Sequence, residues 1–181
     1  MTDELTLIIQ LQSPKTKELA FKQLVSLYKE RLYWHIRKIV ISHHDADDVL
    51  QNTFIKIFKN IDSFKKDSKL YSWMYRIATN ESITFINKRA KEKNIDITDY
   101  QQELVSNLDN DNWFTGEEIQ LILQKAIATL PQKQQLVFNM KYFDEMKYQQ
   151  ISEILETSVG ALKASYHIAV KKIEQFIKSY N

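Results

Sequence analysis

Two histidines and three aspartates stand together in His43-His44-Asp45-Ala46-Asp47-Asp48. Imidazole and carboxylate bind divalent metals and move protons, so any catalytic chemistry would sit here. His43 to Asp47 and His44 to Asp48 each have the i,i+4 spacing that puts two ligands on one helical face. Neither pair has an identifiable third ligand. A helix start accounts for the same residues. Asp45 can cap free amides, and Asp47 and Asp48 fall in the first turn, where the positive helix end favours carboxylates. The expectation is a helix start, with no catalytic residue, no metal site and no cofactor.

The elements that would carry these residues are helical. The 181 residues include two Gly, two Pro and no Cys, and 44% are hydrophobic. So few breakers allow few tight turns between strands, while the apolar fraction supports a real core; an all-α protein follows. The lack of Cys excludes disulfides and thiolate metal sites and is compatible with a reducing compartment. No apolar run follows a basic N-terminus, and none approaches the ~18 residues of a membrane span. Neither a signal peptide nor membrane insertion is expected, and the cytoplasm is the expected location.

Charge divides the chain. Residues 1–92 carry 16 Lys and Arg against 11 Asp and Glu, residues 93–116 carry 1 against 5, and residues 117–181 carry 8 against 7. A basic block of that kind can serve nucleic acid, an anionic membrane or solubility alone. Phe21, Leu24, Val25, Tyr28, Leu32, Ile36 and Ile39 predict a helix over 17–40. Leu50, Phe54, Ile57 and Phe58 predict a second over 46–60, and a third fits 70 to about 88. The acidic, Asn-rich stretch 93–116 has no sustained period and reads as a flexible linker. Helical pattern resumes at "TGEEIQLILQKAIATL", and Pro131 suits the first turn of the next helix, through about Phe143. Two more helices, 148–155 and 158 to about 178, are separated only by Glu156 and Thr157.

Three surfaces stand out. On the second helix, Asp48, Gln51, Asn52, Ile55 and Lys59 form a stripe facing away from the buried one, and a branched apolar residue among them suggests protein docking. In "SFKKDSKLYSWMYRIATNES", aromatics that can stack unpaired bases alternate with cations that can track phosphates. Trp73 and Ile77 read as core, with Tyr75 and Arg76 nearer the surface. The closely spaced helices at the C-terminus match helix-turn-helix geometry, with Ser158 as N-cap of the second.

"DADDVLQNTFIKIFKNIDSF" and "YSWMYRIATN" resemble region 2 of bacterial sigma factors, and "LPQKQQLVFNMKYFDEMKYQQISEILETSVGALKASYHIAVKKI" resembles their region 4. Together the motifs cover most of the chain, in the family's order and with no third domain between, as in the extracytoplasmic-function group. The resemblance implies two helical domains, 1–92 and 117–181, joined by the linker 93–116. It implies a non-enzymatic protein that binds core RNA polymerase, recognises promoter DNA and helps open it. Asp48, Gln51, Asn52, Thr53, Phe54 and Ile55 would dock on the clamp helices of the largest polymerase subunit, and the C-terminal domain on the flap. Phe64, Lys65, Lys66, Ser68, Lys69, Leu70 and Tyr71 would form a pocket for a flipped base of the −10 element, with Tyr75, Arg76 and Asn80 nearby and Lys88 and Arg89 on upstream phosphates. Ser158, Gly160, Ala161, Lys163, Ala164, Ser165, His167 and Lys171 would meet the −35 element. An anti-sigma factor is the other partner implied. The acidic linker would thread toward the active-site cleft or act as a solvated tether.

Two departures from the family pattern matter. Glu156 occupies a turn position that is often Gly, so a different turn is expected there. Residues 117–181 contain no Arg. Arg reads guanine through two parallel hydrogen bonds and Lys is a point charge, so phosphate contact and DNA shape should carry more of the −35 recognition. Lys163→Ala should then lower affinity by a similar factor on related duplexes and reduce the salt slope by about one, measured by anisotropy titrations; a loss confined to one base position contradicts it.

Overall fold

A computed structural model describes residues 3–65, 67–108 and 118–180. The predicted site residue Lys66 and the linker positions 109–116 lie outside the described residues. Among the described residues the secondary structure is helical, without strands: α1 (Glu4–Leu11), α2 (Lys17–Val40), α3 (His43–Asn60), a 3-10 turn (Ile61–Ser63), α4 (Leu70–Lys93), α5 (Ile97–Ser106), α6 (Glu118–Ala128), α7 (Gln132–Tyr142), α8 (Tyr148–Leu155) and α9 (Val159–Tyr180).

Helices α2, α3 and α4 pack on one another, and α1 closes one end against α2. Leu24, Leu32, Ile36, Ile39 and Val40 of α2 face Val49, Leu50 and Ile57 of α3 and Leu70, Met74, Ala78 and Ile86 of α4 in one buried cluster. Helix α3 begins three residues before the predicted start. Ser42 is its N-cap, its hydroxyl accepting from the Asp45 amide at 3.4 Å. Asp45 therefore does not cap the helix; its carboxylate faces Arg89 at 3.5 Å.

Helix α1 is not predicted, and α5 is an ordered piece within the stretch read as a linker. Helix α1 spans eight residues, with Leu7, Ile8 and Leu11 buried. Helix α5 lies inside the acidic linker, capped by Asp96, whose carboxylate accepts from the Thr98 amide at 2.7 Å. Tyr100, Gln101 and Val105 of α5 are buried, so this part of the linker is packed against α4 and α6. Gln135 of α7 donates to the Gln101 side chain and to the Leu130 carbonyl, both at 2.8 Å.

The α2–α3 corner turns through Ile41 at φ 68° and ψ −41°, where the Ser42 amide donates to the Val40 carbonyl at 2.8 Å. This tight turn is strained for a β-branched residue. Burial offsets it: Ile41 packs with Val105, Leu108 and Ala128, joining the corner to α5 and α6.

The C-terminal half has a second cluster, with Ala126, Ile127 and Leu130 against Phe138, Ala169 and Ile173. Leu136, Val137, Met140, Met146, Ile151, Ile154 and Leu162 instead belong to the N-terminal half's cluster. The two halves thus share a core, and α8 lies directly on α4.

Because Gln135 is buried and bonds to the linker helix, Gln135→Ala should cost about 1–3 kcal/mol in urea unfolding, whereas Lys133→Ala on the exposed face of α7 should stay within about 0.5 kcal/mol.

Candidate polymerase and nucleic-acid interfaces

The docking stripe on α3 forms as the spacing predicts for some of its members. Asp48, Gln51, Asn52 and Ile55 are exposed on one face. Asp48, Gln51 and Asn52 line a groove whose other wall is Phe85, Lys88, Arg89 and Glu92 of α4. Thr53 is a correction: it is fully buried and its hydroxyl donates to the Val49 carbonyl at 2.7 Å, so it presents nothing to a partner. Phe54 is half-buried and packs edge-on to Phe21. Of the histidines that open the helix, His43 meets the Tyr33 hydroxyl at 2.6 Å and Asp47 at 3.6 Å. Among the described residues no three His, Cys, Asp or Glu side chains converge to hold a metal.

The loop from Phe64 to Tyr71 is shaped from beneath by the N-terminus, which sequence reasoning missed. Gln12 donates to the Ile61 carbonyl at 3.0 Å and the Phe64 carbonyl at 2.9 Å. Glu4 accepts from the Leu70 amide at 3.1 Å, supplying the start of α4 with an acceptor. Lys17 pairs with Asp62 at 2.6 Å. Only the apolar residues of α1 gave a hint of this support. Phe64 is buried against Trp73, ring centroids 5.1 Å apart, and Leu70 is fully buried, so both anchor the loop and neither is open to a base. Lys65 and Lys69 are exposed and Ser68 is half-buried.

Along α4 the expectation for Tyr75 fails. It is 3% exposed, with its ring 4.3 Å from Tyr71 and 4.9 Å from His35. Burial, reinforced by Tyr71, pushes its phenol far above the usual range, and burial also raises Tyr71. Packing of α2 on α4 makes this difference, since periodicity within one helix cannot register a neighbouring one. Arg76 is half-buried and already bound: it donates to the Glu153 carbonyl at 2.5 Å and faces Glu156 at 3.4 Å. Asn80, Lys88 and Arg89 are exposed. Arg89 lies over the Phe85 ring at 5.0 Å and pairs with Glu92 at 3.6 Å.

In the C-terminal half, Ser158 caps α9, its hydroxyl accepting from the Ala161 amide at 3.3 Å. Gly160, Ala161, Lys163, Ala164, His167 and Lys171 are exposed, and Ser165 is half-buried. Small side chains at Gly160, Ala161 and Ala164 leave this end of the helix flat, a shape that lets backbone approach a groove. The expected departure at the turn does not occur. Glu156 takes the left-handed conformation, φ 51° and ψ 43°, that a Gly would take, and its amide closes on the Ser152 carbonyl.

Between the halves, the turn after α7 inserts Asp144. Its carboxylate faces His35 Nδ1 at 3.2 Å and pairs with Lys38, while His35 Nε2 meets the Thr79 hydroxyl at 2.8 Å. Burial alone would raise the Asp144 carboxyl, but the His35 hydrogen bond and the His35 and Lys38 charges hold it below the ordinary aspartate range.

Comparison with known families supplies the context for this geometry. Sigma-70 region 2 matches residues 24–92, and Sigma-70, region 4 matches residues 120–173. The ECF RNA polymerase sigma factor SigW of Bacillus subtilis (strain 168) is 32% identical over 164 residues, spanning 86% of this chain and 88% of that protein. The ECF RNA polymerase sigma-E factor of Escherichia coli (strain K12) is 26% identical over 189 residues, spanning 98% and 97%. In fold, the chain is similar to CnrH in complex with the cytosolic domain of CnrY, with TM-score 0.71, 20% identity and 98% and 99% coverage. It is also similar to the sigma factor RpoE in complex with the anti-sigma factor NepR from Bartonella quintana, with TM-score 0.67, 22% identity and 87% and 96% coverage.

A carboxyl held below its unfolded value stabilises the folded state in full above the ordinary aspartate pKa of about 4, and that contribution is lost as pH falls through the lowered value. The stability gap between the protein and its Asp144→Asn variant should be about 2 kcal/mol at neutral pH and close as pH falls below about 4. Urea unfolding of both across that range measures it; a gap independent of pH contradicts the assignment.

Proposed function

This chain belongs to the extracytoplasmic-function sigma factors of bacterial RNA polymerase, and from that premise we propose how its residues divide the work. As a sigma factor it binds core polymerase and directs promoter-specific initiation. It is an initiation factor, and we assign it no reaction of its own. The proposed division is 1–92 for core binding and the −10 element, 93–116 as linker, and 117–181 for the −35 element. No described helix is long and apolar enough to cross a membrane, and we assign its action to the cytoplasm.

The observation that carries the reading is the exposed face of α3, where Asp48, Gln51 and Asn52 line a groove against Phe85, Lys88, Arg89 and Glu92 of α4 and Ile55 is exposed on the same helix. Such a mixed face suits a helical partner: Ile55 supplies the apolar anchor while Asp48, Gln51 and Asn52 set register. We assign it to the clamp helices, with Thr53 and Phe54 supporting it from within. Lys65, Lys69 and Asn80 are the exposed candidates for the −10 strand, with Lys88 and Arg89 on phosphates. The amide of Asn80 suits a base edge because it both donates and accepts. The α9 face from Ser158 to Lys171 is assigned to the −35 duplex. RpoE of Bartonella quintana is bound by an anti-sigma factor, and a partner of that class is proposed here also.

Run-off transcription with purified core polymerase and fragments of the source genome should give discrete starts that share two upstream motifs. The Asp48→Ala, Ile55→Ala double variant should weaken binding to core about tenfold or more with unchanged helical content. Equal core affinity for both proteins would remove α3 from the interface, and an absence of discrete starts would remove the promoter-directing role.

A further inference from the structure

We propose that the cavity bounded by α2, α6 and the turn between α7 and α8 is a binding site for a nucleoside phosphate. The site stands on its lining side chains and does not rest on the assignment of the chain to polymerase.

The cavity measures about 1000 Å³. That is the upper end of the ~300–1,000 Å³ that small-molecule sites occupy. One wall is α2, where Arg31, Trp34, Arg37 and Lys38 line the space. Their spacing puts all four on one face of that helix. Tyr142 and Phe143, at the end of α7, line it from another side. Gln120 and Gln124 of α6 and Gln150 of α8 add side-chain amides. Arg31, Gln120 and Tyr142 are exposed, so the cavity opens to solvent.

Charge decides the class of ligand. The acids at the cavity are Asp144 and Glu145. Asp144 is already committed to Lys38 and His35. Arg31 and Arg37 therefore have only Glu145 set against them, and the excess of positive charge favours an anion. Among the described residues Arg31 forms no ion pair. Arg37 is 5% exposed, and a charge so far removed from water acts through a lower dielectric than one at the surface. The planar fork of a guanidinium matches the oxygens of a phosphate.

The remaining lining decides what the anion carries. Trp34, Tyr142 and Phe143 supply aromatic surface on which any nucleobase can stack. Tyr142 is 54% exposed, a large ring left to solvent at the cavity. An amide side chain both donates and accepts, so Gln120, Gln124 and Gln150 suit the edge of a base. A bare phosphate would use none of the rings, and an apolar ligand would cover the arginines without pairing them. A nucleoside phosphate uses all three groups together.

Calorimetric titration of the full chain with ATP and with GTP tests the site. At least one of them should bind, with one nucleotide per chain. Pyrophosphate should bind about tenfold more weakly or worse, because the stacked ring is missing. Arg31→Glu should weaken the nucleotide about tenfold or more, and its exposed position leaves the core and the helical content unchanged. Trp34→Leu should weaken it by about the same factor. A second measurement uses the unaltered chain: in isotope-labelled protein the nucleotide should shift the Trp34 indole resonance and the Gln120 and Gln124 side-chain amides. Absence of binding by both nucleotides at millimolar concentration overturns the proposal. So does pyrophosphate binding as tightly as the nucleotide, an unchanged affinity in Arg31→Glu, or resonance shifts confined to α9. A single-stranded oligonucleotide that displaces the nucleotide from Trp34 with equal affinity would assign the cavity to nucleic acid and overturn it as well.

Discussion

Leu24, Leu32, Ile36, Ile39 and Val40 run along α2 and are almost wholly removed from water. Each neighbouring helix is placed by the part of that stripe it covers. Apolar burial contributes roughly 25 cal/mol per Å² and has no direction of its own, so shape and polar contacts choose the arrangement. Helices α3 and α4 cover most of the length, α1 closes one end, and α7 reaches α2 from the other half. The exposed face of α3 follows from this constraint: with Val49, Leu50 and Ile57 turned inward, Asp48, Gln51, Asn52 and Ile55 have only solvent or a partner to meet.

Where the two halves meet, polar groups enter the core and are nearly all bonded. His35 bonds to Thr79 and Asp144, Thr79 also to the Tyr75 carbonyl, Ser72 to the Glu153 carboxylate, and Gln101 to Gln135 between α5 and α7. An unmade hydrogen bond in such a place costs far more than a made one contributes. These groups therefore act mainly to fix one register between the halves.

Positive φ angles fall at Ile41, Asn94, Glu145 and Glu156, each at a helix end or turn. Asn94 ends α4 in the left-handed conformation that its short amide tolerates. Ile41 and Glu156 are poor choices for such a backbone on local grounds, and each has a tertiary contact in exchange: a small apolar cluster for Ile41, and Arg76 for Glu156.

The sequence alone determined the helical class, the order of the two family motifs, the acidic character of the linker and most helix bounds. Apolar period, charge and capping chemistry are local, and α2 and α8 matched their predicted bounds to the residue. It also determined which face of α3 and which face of α9 would be exposed. Only the tertiary structure decided what lies buried between the halves. Tyr75 reads as a surface aromatic until His35 of α2 packs on it, and Arg76 reads as a free cation until Glu153 and Glu156 arrive from about eighty residues away. Contacts of that separation leave no period in either segment. The support of the Phe64 loop by Glu4 and Gln12, and the packing of α5, stayed illegible for the same reason.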